Sequence, residues 1–259
     1  MMHSDYQAIK FNTPREFEYI ELYLISDLHY GSAQFDSKRW MNFKAEILEK
    51  PNRYMIFAGD AMENAVPNSK SSVFHQTVPP HEQREWIVEQ FKELRDHIIA
   101  VVDGNHERNR STKLAGLYPL YDACLLSDIG ERYRPHFAFA DIGVGTRKKD
   151  PNQQTHYVVY VIHRAKETRQ YSSADFVDGI DLMVYGHDHF SHDSPRGKLI
   201  YNAKTGKIRQ TTVEVLDSGS FLNYGGYAVD NAFRPTSQKL YKAILLGAEK
   251  QITTVGFYL

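Results

Sequence analysis

Five short apolar runs that end abruptly in polar residues lie between positions 22 and 185 of this 259-residue chain. Each run is rich in β-branched, aromatic and aliphatic side chains, which is typical of a buried β-strand. The runs are 22–25, 54–58, 98–102, 157–162 and 182–185, and Asp, Asn or His follows each within three residues. Amphipathic helical patterns at 37–49 and 81–97 separate the first three runs. This order predicts parallel β-α-β units.

The patterns also indicate how the rest of the chain is organised. The first helix is predicted to have four apolar residues on one face: Trp40, Phe43, Ile47 and Leu48. Three later runs, at 213–216, 240–246 and 251–255, alternate with glycine turns and are predicted to be strands that add to a sheet. Because no linker or low-complexity tract divides the chain, we expect one domain covering residues 1–259.

Composition restricts the class of protein. Hydrophobic residues make up 42% of the chain and the net charge is −1, so a packed core is expected and an extended nucleic-acid track is not. The one cysteine, Cys124, excludes an internal disulfide and is typical of a reducing compartment. Since no apolar run could span a bilayer and the first residues lack a secretory layout, we expect a cytoplasmic protein without membrane contact. The oligomeric state is not defined by the sequence.

The polar residues after the five runs form a set of candidate metal ligands, because ligands of parallel sheets bind beyond the carboxyl ends of the strands. They are Asp27, His29, Asp60, Asn105, His163, His187 and His189. Carboxylate, amide and imidazole donors suit Mn²⁺, Fe or Zn²⁺, and the lack of thiolate argues against a cysteine zinc site. Seven ligands are more than one tetrahedral ion can bind, and they suit two ions that share a bridging carboxylate.

Three of the five motifs carry little information alone, whereas the motifs at 104–107 and 186–189 are moderately specific. Asp27-Leu28-His29 occurs by chance in many proteins, Gly59-Asp60 is usually a turn, and a histidine such as His163 is more often structural. The five motifs together, each after an apolar run, favour a metal site. His156 is an alternative to His163, but it lies at the start of its strand, at the other end of the sheet.

The series Asp-x-His, Gly-Asp, Gly-Asn-His-Glu, His and Gly-His-x-His resembles the signature of calcineurin-like metallophosphoesterases over residues from about 20 to 190. The resemblance implies an α/β fold in which two mixed β-sheets pack as a sandwich flanked by helices, in four layers. It also implies two divalent ions, with Mn favoured and Fe or Zn as alternatives. By position, Asp27, His29, Asp60 and His189 would hold the first ion, and Asp60, Asn105, His163 and His187 the second, with Asp60 as the bridge.

The resemblance implies a mechanism as well. A hydroxide shared by two cations would attack phosphorus in line with the leaving oxygen. His106, next to Asn105, is predicted to protonate that oxygen, and a purely structural histidine is the alternative. Glu63 is predicted to orient the His106 ring, and a solvated loop glutamate is the alternative.

Nearby residues bear on the substrate. Arg108, Arg110 and Arg164 are candidate phosphate contacts, although loop charges of this kind are often only solvated. Asn64 and Asp103 stand where the protein-phosphatase branch has arginine, which argues against a Ser/Thr protein phosphatase.

The expected function is therefore hydrolysis of a phosphomonoester or a phosphodiester such as a nucleotide. A nuclease acting on DNA or RNA is the runner-up, and a non-catalytic scaffold that keeps the fold is the second alternative. The segment 63–80, rich in Asn, Ser and Pro, is predicted to be a long loop over the site.

Overall fold

Twelve strands and a smaller set of helices make up the computed structural model, which describes residues 4–67, 69, 71–163, 173–190, 193–230, 232, 235 and 239–258. In chain order the strands are β1 (Ile9–Asn12), β2 (Tyr19–Ile25), β3 (Arg53–Phe57), β4 (Ile98–Val102), β5 (Tyr133–Arg134), β6 (Phe137–Val144), β7 (Thr155–Ile162), β8 (Leu182–Tyr185), β9 (Arg196–Asn202), β10 (Lys207–Asp217), β11 (Lys239–Gly247) and β12 (Ile252–Tyr258). The α-helices are α1 (Ser37–Glu49), α2 (Pro80–Leu94), α3 (Lys113–Ala115), α4 (Pro119–Leu126) and α5 (Tyr227–Asp230). Short 3-10 helices cover Val73–His75, Gly130–Arg132 and Ser173–Phe176, and Glu107–Thr112 is a π-helix.

The strands form two mixed sheets. Sheet I has the order β12-β11-β2-β3-β4-β5, and sheet II has the order β1-β6-β7-β8-β10-β9. Strands β2 to β5 of sheet I are parallel, as are β7, β8 and β10 of sheet II. The predicted α/β sandwich of two mixed sheets with flanking helices is confirmed.

The alternation of β2 shows why its sequence is apolar on both faces. Leu22 and Leu24 point into the core between the two sheets. Tyr23 and Ile25 point the other way, into a second core shared with α1, α2 and α4. All four side chains are fully buried, so this part of the strand faces apolar core on both sides.

Helix α1 covers the predicted residues, and the Asp36 side chain caps it by accepting a hydrogen bond from the backbone N–H of Arg39 at 3.0 Å. Trp40, Phe43 and Ile47 are buried as predicted. The inclusion of Leu48 on that face is wrong, because its side chain is 46% exposed. One residue beyond Ile47 the helix has turned by about 100°, which carries Leu48 out of the apolar stripe.

The three later strands join both sheets. β10 lies parallel to β8 in sheet II, and β11 lies antiparallel to β2 in sheet I, with β12 outside it. The sequence did not predict β1, β5, β6 or β9. Strand β6 was missed because its segment, Phe-Ala-Phe-Ala-Asp-Ile-Gly-Val, mixes alanine, aspartate and glycine with the apolar residues. The one-domain assignment for residues 1–259 stays a prediction.

The outer face of sheet II has its own small core, in which Tyr160, Met183 and Tyr185 pack with Ala174 and Ile180. Within the described residues, the 3-10 helix that includes Ala174 covers this face. The four-layer prediction expected a layer of α-helices in this position. Among the described helices, none combines the length and apolar character that crossing a membrane requires.

The α1 core provides a test of this packing. Phe43 is fully buried, with its ring 5.9 Å from that of Tyr23 and 5.8 Å from that of Phe221. We expect Phe43→Ala to lower the free energy of unfolding by about 3–5 kcal/mol, because it leaves a cavity among rigid aromatic neighbours. Leu48→Ala on the same helix should change it by less than about 0.5 kcal/mol. Urea unfolding curves measure both, and equal losses would contradict the packing described.

Candidate metal centre

All seven predicted ligands lie together at the carboxyl ends of strands from both sheets. Asp27 and His29 follow β2, Asp60 follows β3 and Asn105 follows β4; His163 follows β7, and His187 and His189 follow β8. The parallel pairing of β2, β3 and β4 and of β7 with β8 brings these ends to one edge of each sheet. Residues as far apart in the chain as Asp27 and His189 therefore come within 3.1 Å of one another.

A first group of donor atoms consists of Asp27, His29 and His189. Oδ1 of Asp27 lies 3.4 Å from Nε2 of His29 and 3.1 Å from Nε2 of His189. The two Nε2 atoms are 3.2 Å apart. Three donors within this distance of one another can bind one ion.

A second group consists of Asp60, His163 and His187, with Asn105 beside it. Nε2 of His163 is 3.2 Å from Oδ2 of Asp60 and 3.1 Å from Oδ1 of Asn105. The ring of His187 lies 5.3 Å from that of His163, centroid to centroid. His156, the alternative to His163, is at the far end of β7, where it pairs with Asp141 at 2.7 Å.

Asp60 lies between the two groups. Its Oδ1 accepts a hydrogen bond from the backbone N–H of His106 at 2.8 Å. Its Oδ2 lies 3.9 Å from Nε2 of His29 in the first group and 3.2 Å from Nε2 of His163 in the second. The carboxylate is thus fixed through one oxygen, and the other oxygen faces both groups.

The imidazole rings are oriented by groups behind them. Nδ1 of His163 lies 2.7 Å from the carbonyl oxygen of Ala58, and Nδ1 of His29 lies 3.3 Å from Oε2 of Glu63. Protonation of these Nδ1 atoms leaves each Nε2 as the electron-pair donor toward the site. Such partners behind a ligand histidine fix its tautomer and raise its basicity.

Five of the seven ligands have left-handed backbone conformations that non-glycine residues rarely adopt. The φ angles are 53° for Asp27, 49° for His29, 54° for Asp60, 85° for His187 and 60° for His189. Each such residue costs on the order of 1–3 kcal/mol, and these conformations cluster at functional sites. The strained turns direct the side chains into one cluster directly after their strands.

The donor atoms fit a cation better than they fit one another. Oδ1 of Asp27 is buried without a hydrogen bond of normal geometry, although two imidazole nitrogens lie within 3.4 Å of it. Burial works to raise the pKa of Asp27, but His189 and His163 lower it well below its usual range. Oxygen and nitrogen donors that converge on a shared point are what a metal site requires, and these donor types suit Mn, Fe or Zn.

The electrostatics of the histidines agree with this fit. Burial alone would lower the pKa of His29, but hydrogen bonds to Asp27 and Glu63 raise it to about 10. The charges of Asp60 and Asp27 likewise raise the pKa of His163 to about 9 despite burial. The site concentrates negative charge, for which a divalent cation competes with protons.

Glu107 connects the loops that carry two of the ligands. Its carboxylate accepts hydrogen bonds from three backbone N–H groups: Asp60 at 3.1 Å, Met62 at 3.1 Å and Gly104 at 3.0 Å. Burial and the nearby charge of Asp60 raise the pKa of Glu107 to about 7. The residue belonged to a motif in the sequence, but its bonds to backbone groups outside that motif were not predicted.

His106 and Glu63 meet beside the first group, where the Glu63 carboxylate lies 4.0 Å from Nδ1 of His106. Nδ1 of His106 lies 2.8 Å from the backbone carbonyl oxygen of Glu63, while the Glu63 carboxylate is closer to His29. Burial lowers the pKa of His106 to about 4, with His29 and Arg110 acting in the same direction. Burial also opposes ionisation of Glu63, yet His29 lowers its pKa to about 2.

The three predicted substrate contacts differ in position. The guanidinium of Arg110 donates to Nε2 of His106 at 2.9 Å and to the carbonyl oxygen of Glu63. Since Arg can only donate, His106 in this arrangement is a neutral imidazole with its proton on Nδ1. Arg108 is partly buried on the same π-helix, with its charge near Asp103. Arg164 lies outside the described residues.

Two residues at the site, Ser26 and Asn64, make contacts that had no signal in the sequence. The Ser26 hydroxyl donates to Oδ2 of Asp27 and also contacts the Ser218 hydroxyl. The Asn64 side chain donates to the carbonyl oxygen of His106 at 3.1 Å and to the Ser111 hydroxyl at 2.8 Å. Serine and asparagine are common in turns, so their positions alone do not distinguish them from ordinary loop residues.

The family model described as calcineurin-like phosphoesterase matches residues 20–191. Over 113 residues the chain is 30% identical to the DNA polymerase II small subunit of Halobacterium salinarum, represented by two strains. That match covers 42% of this chain and only 22% of the length of the relative.

Two solved structures resemble the chain at low sequence identity. Vps29 of Chaetomium thermophilum is 10% identical, with a TM-score of 0.37 over 92% of this chain and 98% of its own. A metallophosphoesterase from Sphaerobacter thermophilus is 12% identical, with a TM-score of 0.37 over 92% of this chain and 88% of its own.

Gly104 provides a test of the site geometry. A Cβ atom at this position would lie 1.9 Å from Oδ1 and 2.2 Å from the backbone nitrogen of Asp60. We expect Gly104→Ala to displace Asp60 and weaken Mn²⁺ binding by about 10- to 100-fold, as happens when a supporting contact of a metal ligand is lost. Gly197→Ala is the matched control, because a Cβ there meets no atom within 4 Å. Titration calorimetry measures both, and unchanged affinity in Gly104→Ala would contradict the arrangement.

Proposed function

Because the chain belongs to the calcineurin-like phosphoesterase family, we propose that it is a dinuclear metal-dependent hydrolase of a phosphomonoester or a phosphodiester. The position of Asp60 carries this proposal. One of its oxygens faces a His/Asp group on each side, at 3.9 Å from His29 and 3.2 Å from His163. A carboxylate in this position can offset the repulsion between two cations.

The two groups support a division of the ligands between two ions. Asp27, His29, Asp60 and His189 would hold the first ion, and Asp60, Asn105, His163 and His187 would hold the second. Mn is the metal that we favour, with Fe or Zn as alternatives, because the donors are oxygen and imidazole nitrogen without thiolate. Bound divalent ions at such a site supply an acidified water as nucleophile and positive charge for the phosphoryl oxygens.

Arg110 and His106, which lie beside the proposed ligands, have separate roles in the reaction. Arg110 is positioned by Glu63 and offers a planar guanidinium to a phosphoryl oxygen. A substrate that takes the Arg110 contact frees Nε2 of His106, and the negative charge of its phosphate favours the protonated imidazole. His106 then donates a proton to the leaving oxygen. Arg108 and Arg164 remain further candidates for phosphate contacts.

Glu63 has a wider role than the orientation of His106 that its sequence position suggested. Its carboxylate lies behind His29, a proposed ligand, and its backbone carbonyl oxygen accepts from Nδ1 of His106. One residue thus orients both the ligand histidine and the proposed proton donor. Burial opposes ionisation of the Glu63 carboxylate. The interaction with His29 offsets this cost and lowers the pKa of Glu63 to about 2.

A nuclease is the second candidate function. The observation that favours it is the 30% identity with a DNA polymerase small subunit, since DNA is a phosphodiester. The chain spans only 22% of that relative, so the match supports a substrate class rather than a shared assembly. The third alternative, a non-catalytic scaffold, is disfavoured because every proposed ligand position and the proton donor are filled.

Replacement of the bridging residue tests the enzyme proposal. We expect Asp60→Asn to lower Mn²⁺-dependent hydrolysis by at least about 100-fold, because loss of the shared carboxylate weakens the binding of both ions. Asp141→Asn is the control, since its partner His156 lies at the other end of β7. A phosphomonoester, a phosphodiester and a short DNA duplex assayed in parallel separate the substrate classes. Full turnover in Asp60→Asn would refute the proposal, and inactive wild-type protein with its metals bound would favour the scaffold.

The role of His106 has a test of its own. We expect His106→Asn to lower kcat by about 10²–10⁴-fold for an alkyl ester, whose leaving oxygen needs a proton. The loss should be much smaller for a p-nitrophenyl ester, because p-nitrophenolate leaves without one. Steady-state kinetics of the two esters measure the difference. Equal losses for both would assign His106 a structural role.

A further inference from the structure

Strand β9 and the first half of β10 form a two-stranded ribbon at the edge of sheet II. Residues 196–202 pair antiparallel with residues 207–213, whereas only residues 214–217 of β10 pair with β8. The ribbon therefore extends beyond the rest of the sheet, and residues 201–210 around its turn are all exposed. Its outer side chains contribute little to the core and are available for contact.

Positive charge is concentrated on this ribbon. Residues 194–213 include five cationic side chains and no Asp or Glu, although the whole chain carries a net charge of −1. The five are Arg196, Lys198, Lys204, Lys207 and Arg209. Lys198 contacts the carbonyl oxygen of Val177 and, at 3.6 Å, Asp178. The three cations nearest the turn are exposed and have no ion pair within the described residues.

The register places the cations on one face of the ribbon. Arg209 lies opposite Ile200 and Lys207 lies opposite Asn202. Because side chains alternate along each strand, Arg196, Lys198, Lys207 and Arg209 share a face, and Lys204 lies at the turn. The opposite face carries Leu199, Tyr201 and Ile208, which are 76%, 65% and 67% exposed.

We propose that this ribbon is an arm that binds the phosphate backbone of double-stranded nucleic acid. Cations two residues apart on a strand are separated by about 6.8 Å, which is twice the axial spacing of about 3.4 Å between phosphates of one DNA strand. A two-stranded ribbon also has the width that the major groove of B-DNA admits. The cationic face is the one that lies along the phosphates, and the apolar side chains, with Gln210, form the opposite face of the ribbon.

Other occupants fit the ribbon less well. Pairing of β9 with the β9 edge of a second copy would bring two ribbons without acidic residues together, and their like charges repel. An anionic lipid surface favours cations that flank the apolar residues which enter it, whereas here the cations lie on the opposite face.

The ribbon is separate from the metal centre. Strand β10 runs from Lys207, near the turn, to Asp217, which pairs with Tyr185 at the end of β8 just before His187. Ten residues of strand correspond to about 33 Å, the length of about ten base pairs. Binding by the ribbon can therefore be measured independently of hydrolysis, and it does not rest on the proposed function.

The experiment uses the full chain with Mn²⁺ present and a fluorescent DNA duplex of about 30 base pairs with phosphorothioate linkages, which resist hydrolysis. Anisotropy titrations cover about 50 to 200 mM NaCl. We expect the triple variant Lys204→Gln, Lys207→Gln and Arg209→Gln to bind at least about tenfold more weakly at the lowest salt. Its plot of log affinity against log salt should lose about one unit of slope for each cation removed.

The matched control replaces three exposed lysines elsewhere, Lys38, Lys92 and Lys149, by Gln, which changes the net charge equally. It should weaken binding by less than about twofold, since distant surface charges are screened. Acetylation of Lys204 and Lys207 in the wild-type protein provides a second measurement, and DNA should protect both. Equal weakening in the two variants, absence of protection, or binding to phosphatidylserine vesicles but not to DNA would overturn the proposal.

Discussion

The convergence of buried carboxylates on a small volume at the strand ends is the constraint on which the rest of the site depends. Asp27 and Asp60 are almost inaccessible to water, and neither is paired with Lys or Arg among the described residues. Imidazoles surround them instead, and the carboxylates raise the pKa values of His29 and His163 to about 10 and 9. Burial of this much negative charge is costly without a cation, so the fold is consistent with metal binding as part of its stability.

The scaffold holds this charge by rigid means. Parallel strands end at the same level, left-handed residues turn the chain sharply after each strand, and Glu107 joins the Asp60 and Gly104 loops through backbone N–H groups. The close approach of Gly104 to Asp60 leaves no space for a side chain. The proposed ligands are therefore preorganised by backbone geometry, and all of them are Asp, Asn or His, whose side chains are short.

The sequence was sufficient for the strands that carry the ligands, because strand, polar end and intervening helix are local patterns. The family could be predicted for the same reason, because its motifs are also local patterns. It did not predict that the carboxylate of Glu63 would contact His29, since this contact depends on the three-dimensional path of the loop after Asp60. Leu48 shows a similar limit, because a shift of one residue along a helix moves a side chain from the core to the solvent. The pairing of β9 with β10 was missed because exposed ribbons lack an apolar pattern of period two over a buried face.

Glu107 has a consequence for how related sequences are compared. It sits inside the Gly-Asn-His-Glu motif, yet its hydrogen bonds from Asp60, Met62 and Gly104 all come from backbone N–H groups, and these bonds fix the path of the chain. A descendant that had lost catalysis would still need this glutamate to shape its loops. Its retention in an alignment therefore marks ancestry only. Asp60, Asn105 and His163, which are proposed ligands, are the positions at which a substitution would first identify a relative without the metal site.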